Sequence, residues 1–171
     1  MTALRKRQSN GSALPGEEII RIVDLHKTYH MGEIKVKALR GINLVLQRGA
    51  FLIITGRNGS GKSTLLHQLG LLDRPDQGEI WLDGREVTHM PEKERSELRL
   101  RGLGYVFQEF ALIPELTALE NVMLPAMMLE KKSASRHRAM ELLARVGLEE
   151  QVGHLPRQLS GGEQQKTAIA R

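Results

Sequence analysis

Apolar and polar positions follow two different periods along this chain, and the periods divide it into two parts. Ile19, Ile20, Ile22, Val23 and Leu25 crowd into a short span that ends at His26-Lys27, which predicts a strand. From Val36 to Gln47 the pattern is extended again, with Ile42, Leu44 and Leu46 alternating against Asn43, Val45 and Gln47. Phe51–Thr55 is a continuous apolar run, the mark of a strand buried on both faces. It enters a glycine-rich turn and then an amphipathic helix over Lys62–Leu69. Glu79–Leu82 reads as a strand closed by an Asp83-Gly84 turn, Glu92–Arg101 as a charged helix, and Tyr105–Phe107 as a return to strand.

The second part changes to helical spacing. Thr117-Ala-Leu-Glu120 has the spacing of a capping box and predicts a helix start, with Pro125 kinking or ending that helix. Ala139, Leu142, Leu143 and Val146 form one stripe of a helix over Ala134–Val146, with Gly147 at its stop. Ser160-Gly-Gly-Glu163 is a second capping box, opening a helix within Leu159–Arg171. Residues 1–17, charged and then rich in small and turn residues, are expected to be a flexible tail. The organisation expected is α/β: a core with an antiparallel β region and a parallel sheet over 18–112, a helical subdomain over 113–158, and the last helix over 159–171.

Composition narrows the function. Lys and Arg number 25 against 20 Asp and Glu, a net charge of +5 that admits an acidic or phosphate-bearing partner. One Trp, two Tyr and three Phe are too few for a base-stacking platform, and the basic residues are interleaved with Glu92, Glu94 and Glu97, so no nucleic-acid partner is expected. There is no Cys, which excludes disulfides and fits a reducing compartment. No apolar run approaches the roughly 20 residues of a membrane span, and the polar stretch Gln8–Glu18 after Arg5-Lys6-Arg7 does not predict a secretory leader. The six His show no metal-ligand spacing, and Met123, Met127 and Met128 read as the apolar face of a helix.

Gly56-Arg57-Asn58-Gly59-Ser60-Gly61-Lys62-Ser63-Thr64 carries the chemistry. It matches the pattern G-x-x-x-x-G-K-[ST], with a buried-type strand before it and a helix after it. The glycines let the backbone curl so that successive N–H groups point at phosphate oxygens. The helix start adds the positive end of its dipole. Lys62 supplies a point charge for the β- and γ-phosphates, and the Ser63 hydroxyl is the expected Mg²⁺ ligand. The reading is a nucleoside triphosphate site.

Leu159-Ser160-Gly161-Gly162-Glu163-Gln164-Gln165, about a hundred residues further on, reads by itself as a capped helix start. Together with the phosphate loop it resembles the signature of ATP-binding-cassette ATPases. Gly78-Glu79-Ile80 and Glu120-Asn121-Val122 fall where that family has them. Leu72-Asp73-Arg74-Pro75, Tyr105-Val106-Phe107-Gln108 and Leu116–Pro125 are similar to the ATPase subunits of lipoprotein-releasing and macrolide-export transporters. The resemblance implies ATP hydrolysis coupled to transport by a separate transmembrane permease subunit, with ATP and Mg²⁺ as cofactors. It implies a cytoplasmic protein, peripheral on the inner face of the cell membrane, paired with a second protomer in a head-to-tail dimer. By the same resemblance Tyr29 stacks on adenine, Gln108 touches Mg²⁺ and the attacking water, and the loop of Gln108 docks on the permease. Ser160, Gly161, Gly162 and Glu163 form the signature that caps a γ-phosphate held by the other protomer.

The match has departures. Ala50 stands where Glu is usual, and Lys166 where Arg is usual. In the family, a strand with a Mg²⁺-linked aspartate and the catalytic glutamate, and then a switch histidine, follow the position of Arg171. The expectation is therefore a C-terminally truncated cassette, inactive alone and poorly stable. Two alternatives stand beside the transport reading: a non-catalytic ATP-binding remnant, and a cassette ATPase acting on DNA or ribosomes. The latter would normally carry coiled-coil or zinc insertions, which the sequence lacks.

Overall fold

A computed structural model describes residues 4–7, 17–129 and 131–171; most of the leading segment 1–17, expected as a tail, lies outside the described residues. The chain divides into two compact units, Met1–Leu103 and Gly104–Arg171. The break falls ahead of position 112, where the change to helical spacing places it.

The first unit holds strands β1 (Leu4–Arg7), β2 (Glu18–Met31), β3 (Ile34–Gln47), β4 (Phe51–Ile54), β5 (Gln77–Leu82) and β6 (Arg85–Glu86), with helices α1 (Lys62–Leu69) and α2 (Glu92–Gly102). One sheet has the order β3-β2-β5-β6 and a second pairs β1 with β4. β2 and β3 form one long hairpin, with Met31 opposite Ile34 at its tip and repeated register shifts between Ile22 and Thr28. The Asp83-Gly84 turn joins β5 to β6 as expected: both residues have positive φ, 49° and 73°, the conformation a tight two-residue hairpin requires. β2, β3 and β5 supply the core, where Ile22, Leu25, Leu39 and Ile80 meet Leu65 of α1 and Val87, with a register shift in β2 between Ile22 and Leu25.

Two expectations fail at β4. Among the described residues every ladder is antiparallel, including the pairing of β4 with β1 (Leu4 opposite Ile54), so no parallel core sheet forms around the phosphate loop. A parallel neighbour would need a crossover that returns beside β4, and α1 leads instead into β5, which joins the antiparallel sheet. Nor is the strand buried on both faces. Phe51 is 63% and Ile53 43% exposed, while only the Leu52 and Ile54 side is half-buried, with Ile54 packed against the core of the first unit.

The second unit contains α3 (Ala118–Met127), α4 (Lys132–Arg145) and α5 (Gly161–Ala170). Both expected capping boxes are present, Thr117 with Glu120 and Ser160 with Glu163. Pro125 sits in the closing turn of α3, two residues before the end of the helix. Ala139 and Leu143 of the α4 stripe are fully buried against Leu119, Val122 and Met123 of α3, and the helix ends at Arg145 with Gly147, at φ 69°, just beyond it. Tyr105–Phe107, expected as a strand, is irregular. Its residues keep strand-like alternation, with the Tyr105 and Phe107 rings 4.6 Å apart on one side. An extended segment becomes a strand only with a ladder partner, and none pairs with it among the described residues.

Candidate functional site

β4 leads the chain into the loop over 55–61 and α1 takes it up at Lys62, so the expected phosphate motif lies between a strand and a helix. The curl is left-handed at Gly59 (φ 77°) and Gly61 (φ 87°). A Cβ built on Gly61 would stand 2.3 Å from the Ala38 carbonyl oxygen of β3, so glycine is demanded there twice, by conformation and by space. Within the loop the Ser60 amide donates to the Arg57 carbonyl at 3.2 Å. Lys62 folds back over the loop, its Nζ donating to the carbonyls of Gly56 and Arg57 at 2.9 Å each. No side chain caps α1 and no acid stands in its first turn, so the positive end of the helix faces the loop without a counter-charge. Ser63 is exposed in that first turn, its hydroxyl an oxygen donor of the kind Mg²⁺ takes.

Tyr29, on β2, reaches the end of the same motif, because the Thr64 hydroxyl approaches its phenol. The Tyr29 hydroxyl donates to Asp73 Oδ2 at 2.9 Å. Burial raises the phenol pKa and the Asp73 carboxylate raises it further, against an opposing pull from Thr64. At Asp73 burial works against ionisation, but hydrogen bonds from Lys27, the Arg74 amide and Tyr29 outweigh it and hold the pKa below the usual carboxylate value.

Gln108 and the signature residues belong to the second unit. Gln108 is exposed in a turn, followed by Phe110 and Ala111, both left-handed at φ 60° and 52°. The Arg171 guanidinium donates to the carbonyls of these two residues at 3.1 and 2.6 Å. Asn121, fully buried, accepts from the Ile113 amide and donates toward the carbonyls of Ile113, Leu116 and Thr117 at 2.9–3.1 Å. The turn of Gln108 and the loop after it are thus tied down from α3 and from the end of α5. In the signature, Ser160 Oγ accepts from the Glu163 amide at 3.3 Å, and the Glu163 carboxylate accepts from the Ser160 amide at 2.7 Å. Gly161 and Gly162 stand bare, since a Cβ on either would meet nothing within 4 Å.

Asp73, Asn121 and Arg171 are the working residues that the pattern of the sequence did not single out. Asp73 and Asn121 lie inside short strings matched to the family, but their hydrogen bonds run to distant backbone and side chains and leave no periodic trace. Among the described residues no group of three or more His, Asp or Glu could hold a metal ion, and no helix is long and apolar enough to cross a membrane.

A strand, a phosphate loop closed by lysine and an uncapped helix define a P-loop nucleotide-binding cassette. The profile of the family described as ABC transporter matches residues 39–171, and the chain belongs to that family. It is 48% identical to an ABC transporter ATP-binding protein of Thermotoga maritima, over 91% of this chain and 67% of that protein. It is 44% identical to the lipoprotein-releasing system ATP-binding protein LolD of Saccharophagus degradans, over 90% of this chain and 68% of that one. With the macrolide export ATP-binding/permease protein MacB of Chlorobium luteolum the identity is 48%, but the chain spans only 24% of that protein's length. The dimeric, post-hydrolysis ATP-binding cassette MJ0796, bound to ADP and Pi, superposes with a TM-score of 0.81 at 41% identity, covering 88% of this chain and 67% of that one.

Proposed function

We propose that the chain is the ATP-binding part of a transporter, coupling ATP binding and hydrolysis to movement of a substrate through separate membrane subunits. The observation that carries this reading is the loop of Gly56–Thr64, with Lys62 held over its mouth and the α1 start left uncapped. Its backbone N–H groups and Lys62 would take the β- and γ-phosphates, and Ser63 would supply one oxygen to the Mg²⁺ that the phosphates share. Tyr29 would give the base a stacking face. Gln108 would stand at the metal and the attacking water, and Ser160, Gly161, Gly162 and Glu163 would meet the nucleotide of a second protomer in a head-to-tail pair. The likeness to a dimeric cassette bound to ADP and Pi supports the pairing, and the names of the relatives support an export or release role. Substrate choice would rest with the membrane subunit. Cysteines placed at Ala111, Leu112 and Ile113 should crosslink to a co-expressed membrane subunit in an ATP-dependent way. Crosslinks formed only from cysteines placed within 1–17 would overturn the docking assignment.

A further inference from the structure

Lys27 and Tyr29 lie two positions apart on β2 and converge on one carboxylate. Asp73 Oδ2 accepts from the Tyr29 hydroxyl and Oδ1 from Lys27 Nζ, each at 2.9 Å. Lys27 also donates to the Arg74 carbonyl at 2.6 Å, and its ammonium stands 5.3 Å from the centroid of the Tyr29 ring, within cation–π range. The pair is shielded, with the Lys27 side chain only 13% and that of Asp73 30% exposed, so it is more than a loose surface contact.

The carboxylate is itself anchored. The Arg74 amide donates to Oδ1 at 2.7 Å. Arg95 of α2, 3% exposed, donates to the carbonyls of Leu71 and Asp73 at 2.8 and 2.7 Å, and Arg99 donates to that of Leu71 at 2.8 Å. Arg74 in turn holds the carbonyls of Thr88 and Met90. Three arginines thus fix the backbone on which Asp73 stands. A tyrosine on a strand has two soft side-chain torsions. Here the far end of the ring is tied to a fixed oxygen while a cation is held against the ring. The tie also spends the phenol proton, leaving Tyr29 with a ring face to offer a base and no directed donor.

We infer that Asp73 is a positioning residue for the nucleobase: through the Tyr29 hydroxyl and Lys27 it holds the Tyr29 ring in the orientation on which the base stacks. The inference rests on the reading of Tyr29 as the stacking face, and the test separates the two. The 171-residue chain and its variants are titrated calorimetrically with Mg-ATP and with Mg-tripolyphosphate, which has the phosphates and no base. Tyr29→Ala should weaken Mg-ATP about tenfold or more, the loss of one stacking contact, and leave tripolyphosphate unchanged. Asp73→Ala and Tyr29→Phe should each weaken Mg-ATP by about three- to tenfold, with the double variant no weaker than the worse single one. Both should bind tripolyphosphate as the parent does. Asp73→Asn, which keeps the size and loses the charge that holds Lys27, should show the same selective loss in smaller measure and serves if the alanine variant does not fold. Unchanged Mg-ATP affinity in the Asp73 variants, or equal losses for ATP and tripolyphosphate, would overturn the inference while leaving Tyr29 in place. Unchanged Mg-ATP affinity in Tyr29→Ala would remove the stacking reading itself, and the inference with it.

Discussion

Helices α1 and α5 both begin at glycines in motifs read as nucleotide-contacting, yet the chain treats the two starts in opposite ways. At α1 the N-cap is Gly61, left-handed, with no side-chain cap and no acid in the first turn. At α5 Ser160 and Glu163 close the start with both halves of a capping box, as Thr117 and Glu120 do for α3. The glycines differ too. Gly61 is required by its φ of 87° and by the Ala38 carbonyl beside it, whereas Gly161 and Gly162 have open space around them. The first glycine is dictated by the fold of its own unit and leaves a helix end open to an anion. The other two meet no demand from their own unit, which fits a surface kept bare for something outside it.

Substitutions that add a Cβ should break this contrast open. Gly61→Ala should cost about 3 kcal/mol or more, from the left-handed backbone and the contact with Ala38 together, read as a lowered denaturant midpoint. Full parental stability in that variant would mean that the curl of the loop is not as described. Gln68 lies fully buried on α1 with neither amide atom hydrogen-bonded among the described residues. Gln68→Leu should therefore stabilise the chain by about 1–3 kcal/mol in the same assay, sharpening the view that the first unit is built around a function rather than for stability. Gly162→Ala should change stability by less than about 1 kcal/mol, in the stabilising direction, since alanine suits a helix and nothing stands in its way. A loss as large as that of Gly61→Ala would erase the distinction between the two starts.

Acid should act on both units, because Asp73, Glu86 and Glu92 of the first are held below the ordinary carboxylate pKa, as are the two capping-box acids of the second. Backbone and side-chain hydrogen bonds from Thr117 lower the pKa of Glu120, and those from Ser160 lower that of Glu163. A carboxylate whose folded pKa is depressed stabilises the fold above its unfolded value, and that stability is lost as pH falls through the folded value. Helix content followed by circular dichroism should thus decline below about pH 4. The decline should flatten in a Glu120→Gln, Glu163→Gln double variant, which has no carboxylate left to titrate at either cap. An unaltered profile in that variant would contradict the assignment.

What could be read from the sequence was whatever local rules decide. Helix α1 falls on its expected residues, the two capping boxes are formed, Gly147 lies just beyond the end of α4, and Asp83-Gly84 turns a hairpin. Each depends on residues within four positions of one another. The failures involve partners far along the chain. The apolar run at β4 gives hydrophobicity but not which strand lies beside it, and the alternation at Tyr105–Phe107 gives an extended backbone but no ladder. Likewise the phosphate loop was legible because its residues are contiguous. The tie of Tyr29 to Asp73 spans 44 positions and the hold of Arg171 on Phe110 spans 61, so neither leaves a local signature.

The central claim is that the Gly56–Thr64 loop binds a nucleoside triphosphate by its phosphates, with Lys62 as the cation. Calorimetric titration of the parent chain and of Lys62→Ala with Mg-ATP tests it most directly. The loss of charge-assisted bonds worth about 1.5–3 kcal/mol predicts affinity at least about tenfold weaker in the variant. Equal affinities in the two proteins, or no binding by the parent, would contradict the account.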